Sequence, residues 1–82
     1  MNREELVKQT RTFLGQFIQN TDISEDHDLF ESGLVNSLLA MQLVLFVEKE
    51  FGFKVENKDL DIENFKSLDA IVNFIIRKTN GG

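Results

Sequence analysis

The chain has 82 residues, a formal net charge of −5 at pH 7 and no cysteine. Its length predicts one domain over 1–82 with a flexible tail at 79–82, and the absence of thiols excludes disulfides and thiolate metal sites. The acidic charge argues against nucleic acid as a partner, and a polar N-terminus without a long apolar run favours a cytoplasmic protein with no membrane segment. The protein is expected to be a monomer.

The first predicted element is an amphipathic helix over 2–20. Its apolar residues recur at helical spacing and are Leu6, Val7, Phe13, Leu14, Phe17 and Ile18. Asn2, followed three residues later by Glu5, has the pattern of a capping box at the helix start. Gly15 weakens the prediction slightly, because glycine costs about 1 kcal/mol relative to alanine inside a helix.

A long connection over 21–36 follows, and loops of this length in small domains are usually functional. Its segment 22–31, here called the acidic loop, sums to −5 and so equals the whole net charge. The acidic loop is either an ordinary solvated loop or a local field that attracts basic partner surfaces. Four apolar residues are expected to hold the connection against the core: Leu29, Phe30, Leu34 and Val35.

The second helix is predicted over 37–51, with Gly52 ending it. At about 100° per residue, one side forms the predicted core and carries Ala40, Leu43, Val44, Val47 and Phe51. Gln42 and Lys49 mark the opposite, solvent-facing side, and Leu39 and Phe46 share a flank that packs on a neighbouring helix.

Three apolar residues of the same helix lie towards its solvent side: Leu38, Met41 and Leu45. They are predicted to form a docking patch for partner proteins, with Glu48 and the acidic loop steering basic surfaces towards it. The alternative is that a crowded bundle buries all three.

Beyond Gly52, residues 53–58 alternate too briefly to predict a strand, and 59–64 has room for one short helical turn. Ser67 is a plausible N-cap for a last helix. The buried stripe of that helix is predicted as Leu68, Ile71, Val72, Phe74 and Ile75. The predicted fold is therefore all-α, a small bundle of three main helices plus one short helix, with a long loop between helices 1 and 2.

Residues for catalysis are scarce in this chain. His27 is the single histidine, no metal-ligand spacing occurs, and His27 is interpreted as a solvated loop residue. The carboxylates of Asp59 and Asp61 are interpreted as part of a solvated face. The sequence thus predicts no catalytic residues, no metal site and no enzymatic activity.

Ser37 has two possible roles, helix cap or attachment site, because it stands where the polar turn meets the apolar helix. Asn and Ser are both preferred N-caps, so capping alone explains "NS" at 36–37. If Asn36 is the cap, however, Ser37 becomes the first helical residue and its hydroxyl faces solvent. A hydroxyl there lies beside unpaired backbone N–H groups and the positive end of the helix dipole, which favours a phosphate.

The stretch "DLFESGLVNSLLAMQLVLFVEKEFGFKV" resembles the phosphopantetheine-attachment region of acyl carrier and peptidyl carrier proteins. The matching elements are Asp28-Leu29-Phe30, Gly33-Leu34, Ser37-Leu38 and Glu50-Phe51, and the resemblance covers nearly the whole chain. It implies a 4′-phosphopantetheine arm on Ser37 that holds an acyl or aminoacyl group as a thioester. The implied partners are a phosphopantetheinyl transferase, an acyl- or aminoacyl-loading enzyme, and a downstream acyltransferase or condensing enzyme.

One position departs from that pattern, because Asn36 stands where the family usually has Asp. Asn caps a helix as well as Asp does, so the fold is unaffected, but contacts that need the carboxylate would weaken. The variant "GLVNSL" is similar to discrete carriers of polyketide and mixed polyketide–peptide pathways. Two alternatives are an unmodified helical adaptor and a sulfur carrier or ubiquitin-like modifier ending in Gly81-Gly82, although the latter class has a sheet-rich fold.

Overall fold

The computed structural model describes residues 2–19 and 22–80. Its elements in chain order are α1 (Arg3–Leu14), α2 (Ser37–Phe51), two 3₁₀ turns (Asn57–Asp59 and Ile62–Asn64) and α3 (Leu68–Thr79). The all-helical prediction is confirmed, and the described residues contain no strand. No helix within these ranges has the length and apolar character needed to cross a membrane.

Helix α1 begins as predicted and ends earlier. The Asn2 side chain accepts a hydrogen bond from the Glu4 N–H at 2.8 Å, which confirms Asn2 as the N-cap. The helix stops at Leu14, because the chain after it forms tighter turns in which the Gln16 and Phe17 N–H groups reach back three residues. Phe17 is consequently 49% exposed and does not join the predicted apolar stripe.

The connection from α1 to α2 is held to the core by apolar residues and by one arginine. Leu29 and Val35 are buried, and the Leu29 N–H donates to the Lys66 carbonyl across the fold. Arg3 donates to Glu25 of the acidic loop at 2.8 Å and to Asp69 at the start of α3. The acidic loop is therefore attached to the starts of α1 and α3.

Helix α2 spans 37–51 as predicted. Gly52 ends it with a left-handed φ of 74°, a conformation that side chains with a Cβ rarely adopt. Leu43, Val44 and Val47 are buried as predicted, whereas Ala40 and Phe51 are half-buried. On the flank, Leu39 is buried too, and the Phe46 ring stacks on Phe13 of α1 with centroids 4.3 Å apart.

The chain between α2 and α3 forms two 3₁₀ turns instead of one short helix. Asp59 does not belong to a solvated face: its carboxylate is 13% exposed and accepts from Lys78 at 2.9 Å and from the Glu56 N–H at 3.0 Å. The Glu56 N–H and the Lys78 ammonium lower the pKa of the Asp59 carboxyl. Asp61 instead caps the second turn by accepting from the Glu63 N–H.

Helix α3 confirms both its predicted start and its predicted stripe. The Ser67 hydroxyl caps the helix by accepting from the Ala70 N–H, and all five predicted stripe residues are buried. Thr79 is the last residue of α3 and Asn80 is its C-cap, and the flexible tail at 79–82 stays a prediction. Gly81 and Gly82 lie outside the described residues.

Candidate functional site

Ser37 is the first residue of α2, and its position depends on the turn before it. Gly33 has a φ of 81°, so the turn relies on a conformation that glycine adopts without strain. The Asn36 side chain then accepts from the Leu39 N–H at 3.0 Å and is the N-cap of the helix. Because Asn36 is the cap, the Ser37 hydroxyl is not needed for capping. Ser37 itself is exposed.

The start of α2 favours negative charge. No described residue accepts a hydrogen bond from the N–H groups of Ser37 or Leu38, which belong to the orphan donors of every helix start. No acidic residue lies in the first turn of α2 to offset the helix dipole. A phosphate ester on the Ser37 hydroxyl would therefore be stabilised where it forms.

An open groove of about 400 Å³ runs beside Ser37. One wall is α2, which contributes Ala40, Met41 and Val44, and the other wall is the segment 60–65. Phe30 of the connection also lines the groove. Apart from Ser37 and Asp61 its lining is apolar. Such a groove fits an attached arm or the apolar contact of a partner better than it fits a polar substrate.

The predicted docking patch is exposed. Leu38 is 73%, Met41 52% and Leu45 56% accessible, so the alternative that the bundle buries them is wrong. Met41 lines the groove beside Ser37, while Leu45 lines a second groove of about 540 Å³ between α1 and α2. The patch is therefore a ridge that begins next to Ser37 and separates two grooves.

Glu48 and the acidic loop have structural contacts besides their predicted steering role. The Glu48 carboxylate accepts from the Val55 N–H at 2.8 Å and so holds the chain after Gly52 against α2. In the acidic loop, Glu25 pairs with Arg3, and Asp28 accepts from two backbone N–H groups of its own turn. Steering by Glu48 and by this loop stays a prediction.

Two apolar residues near Ser37 were missed by sequence reasoning. Leu60 and Ile62 lie across the groove from Met41, and both are about half exposed, at 49% and 54%. A six-residue stretch of turns has no periodicity that separates its buried from its exposed residues. The available signal was the spacing of two apolar residues around Asp61 in a segment otherwise rich in charge.

The other sequence candidates do not form a second site. His27 lies half-buried in the acidic loop, where its backbone N–H donates to the Ser24 carbonyl. Within 2–19 and 22–80, no group of three or more histidine or carboxylate side chains is arranged to hold a metal ion.

The cap assignment leads to a stability prediction. We expect Asn36→Ala to lower the free energy of unfolding by about 1 kcal/mol, because it removes the hydrogen bond to the Leu39 N–H. Ser37→Ala should change it by less than about 0.5 kcal/mol, as is usual for an exposed side chain. The denaturant midpoints of the two variants test this. A larger loss of stability in Ser37→Ala than in Asn36→Ala would mean that Ser37, not Asn36, caps the helix.

Comparison with known proteins gives two matches. The family described as "Phosphopantetheine attachment site" matches residues 4–75, which include the connection, all of α2 and both 3₁₀ turns. The acyl carrier protein of Thermotoga maritima is similar to this chain, with 28% identity over 79 residues that cover 94% of this chain and 95% of that protein.

Proposed function

Because the chain belongs to the phosphopantetheine-attachment family of carrier proteins, we propose that Ser37 is the residue to which its 4′-phosphopantetheine arm is attached. Members of this family are carriers without catalytic activity of their own, and the arm is their cofactor. When attached, the arm supplies a terminal thiol that holds an acyl group as a thioester. The exposed hydroxyl on the first residue of α2 is the observation that carries the assignment to Ser37.

The residues around Ser37 fit this role. Asn36 satisfies the cap, so the hydroxyl stays available, and the orphan N–H groups of Ser37 and Leu38 lie close to where the phosphate would be. No described side chain hydrogen-bonds to the Ser37 hydroxyl, so a base on the transferase would take its proton. Membership of the phosphopantetheine-attachment family favours this role over the unmodified adaptor.

The partners of a carrier need a surface beside the arm. We assign this surface to the ridge of Leu38, Met41 and Leu45, with Asn36 at its base and Glu48 at its far end. Three exposed apolar residues at such close spacing favour apolar contact as the main source of affinity. Phosphopantetheinyl transferases and acyl-processing enzymes are the classes of partner, and the carboxylates nearby would mainly raise the rate of encounter.

The attachment itself is tested by incubating the protein with coenzyme A and a broad-specificity phosphopantetheinyl transferase and then measuring the intact mass. The expected result is the gain of one arm, located on the peptide that contains Ser37. No gain after prolonged incubation would contradict the proposal and favour the adaptor.

For the pathway, we place the carrier in polyketide or mixed polyketide–peptide biosynthesis. The support is Asn36 within "GLVNSL", which is similar to discrete carriers of those pathways. We expect the arm-bearing protein to accept small extender units from loading enzymes of such pathways faster than malonyl groups from a fatty-acid transferase. Acylation rates with the two enzymes test this, and preference for the fatty-acid transferase would contradict it.

A further inference from the structure

A network of four polar residues, here called the α3 clamp, ties the end of α3 to both 3₁₀ turns. Its members are Asp59, Asn64, Arg77 and Lys78. The Lys78 ammonium donates to the Asp59 carboxylate at 2.9 Å, and the Asn64 side chain joins the two turns by donating to the Asp59 carbonyl at 2.8 Å. Arg77 donates to the Asn64 side-chain oxygen at 2.8 Å. The clamp therefore bridges parts of the chain that lie up to 19 residues apart.

The segment between the two ends of the clamp is the outer wall of the groove beside Ser37. Leu60, Asp61 and Ile62 line the groove, whereas no clamp residue does. Leu60 and Ile62 are about half exposed, so their own burial holds the wall less firmly than full burial would. The neighbouring apolar anchor is Phe65, which is buried at the end of the wall.

The contacts of the clamp favour a fixed geometry because they are partly shielded from solvent and include a core residue. The Lys78 side chain is only 21% exposed and the Asp59 side chain 13%, so their pairing is less screened by solvent than that of a fully exposed pair. Arg77 is also placed over the Phe74 ring, with its guanidinium carbon 5.7 Å from the ring centroid. Phe74 belongs to the core, so the clamp connects the wall to the buried interior of the fold.

We propose that the residues of the α3 clamp are positioning residues that hold Leu60 and Ile62 ready for docking of the phosphopantetheinyl transferase at Ser37. This inference rests on the proposed function of Ser37. A partner that reaches Ser37 across the groove contacts both walls. A wall that fluctuates must be ordered on binding, and this ordering weakens docking. The reactive hydroxyl itself lies on α2, whose cap is independent of the clamp.

The test uses Lys78→Met, which keeps most of the side-chain length and removes the ammonium. Hydrogen exchange of the amides in 57–65 should become about tenfold faster, while α1 and α2 keep their protection. In transfer of the arm from coenzyme A, KM for the carrier should rise roughly fivefold with kcat within about twofold. Lys78→Arg should restore both quantities because it retains the charge and the donors.

Lys66→Met is the matched control. This variant also removes an ion pair, the one at 2.8 Å between Lys66 and Glu63, but that pair joins the wall to the residue that follows it and does not reach α3. Lys66→Met should therefore leave the exchange rates in 57–65 and the KM for the carrier near those of the unsubstituted protein.

The inference is overturned if Lys78→Met leaves exchange in 57–65 or KM unchanged, or if exchange accelerates equally in all helices. Failure of the proposed function looks different. In that case the unsubstituted protein itself gains no arm on Ser37, and the docking role of the clamp fails with it, whereas the exchange data still report whether the clamp holds the wall.

Discussion

Replacing Ser37 by alanine should abolish attachment of the arm while leaving the fold intact. The hydroxyl oxygen is the atom that would form the phosphate ester, and alanine offers no substitute for it. The side chain of Asn36 caps α2 by accepting from the Leu39 N–H, so the helix keeps its start. Intact mass after incubation with coenzyme A and a transferase should therefore show no gain for Ser37→Ala, with a denaturant midpoint close to that of the unsubstituted protein.

Ser32→Ala is the control for this result. Ser32 is also exposed and lies five residues before Ser37, but it belongs to the turn ahead of α2, where its hydroxyl donates to the Leu29 carbonyl. This variant should gain the arm as the unsubstituted protein does. An arm still present on Ser37→Ala would show that another residue is modified, and loss of folding in Ser37→Ala would leave capping as the role of this serine.

The parts of the fold that depend on local chemistry were predictable from the sequence. Asn36 and Gly52 define α2 because their side-chain and backbone preferences act within a few residues. The stripe of α3 follows from helical periodicity, and all five of its predicted residues are buried. The end of α1 was not predictable in this way. The pattern of apolar residues continues to Ile18, but the turns after Leu14 carry Phe17 to the surface.

In the candidate site, too, the part set by local chemistry was predictable and the part set by distant contacts was not. The solvent-side position of Leu38, Met41 and Leu45 followed from their angles around α2, and the structure shows that all three are exposed. The opposite wall did not follow, because Leu60 and Ile62 lie between two short turns without periodicity. They follow Asp59, whose carboxylate accepts from Lys78 of another helix. Pairing over such a sequence distance leaves no signal in a single sequence.

The docking ridge is best tested at Leu45, because this residue is exposed and lies two turns of helix from Ser37. We expect Leu45→Glu to change the free energy of unfolding by no more than about 0.5 kcal/mol, since 56% of the side chain is accessible. If a transferase buries Leu45 on docking, losing that apolar contact and burying a carboxylate instead should slow arm transfer by about tenfold or more. The rate of arm transfer and the denaturant midpoint are measured on the same sample.

Two controls separate docking from stability and from charge. Leu43→Glu places the same carboxylate at a fully buried position of α2 and should destabilise the fold by several kcal/mol, roughly the cost of burying an unpaired charge. Gln42→Glu adds the same charge on the exposed side of α2, outside the ridge, and should slow transfer far less than Leu45→Glu. Equal slowing by Gln42→Glu and Leu45→Glu would mean that charge, not apolar contact, governs docking. Unfolding of Leu45→Glu at the level of Leu43→Glu would instead place Leu45 in the core and remove it from the ridge.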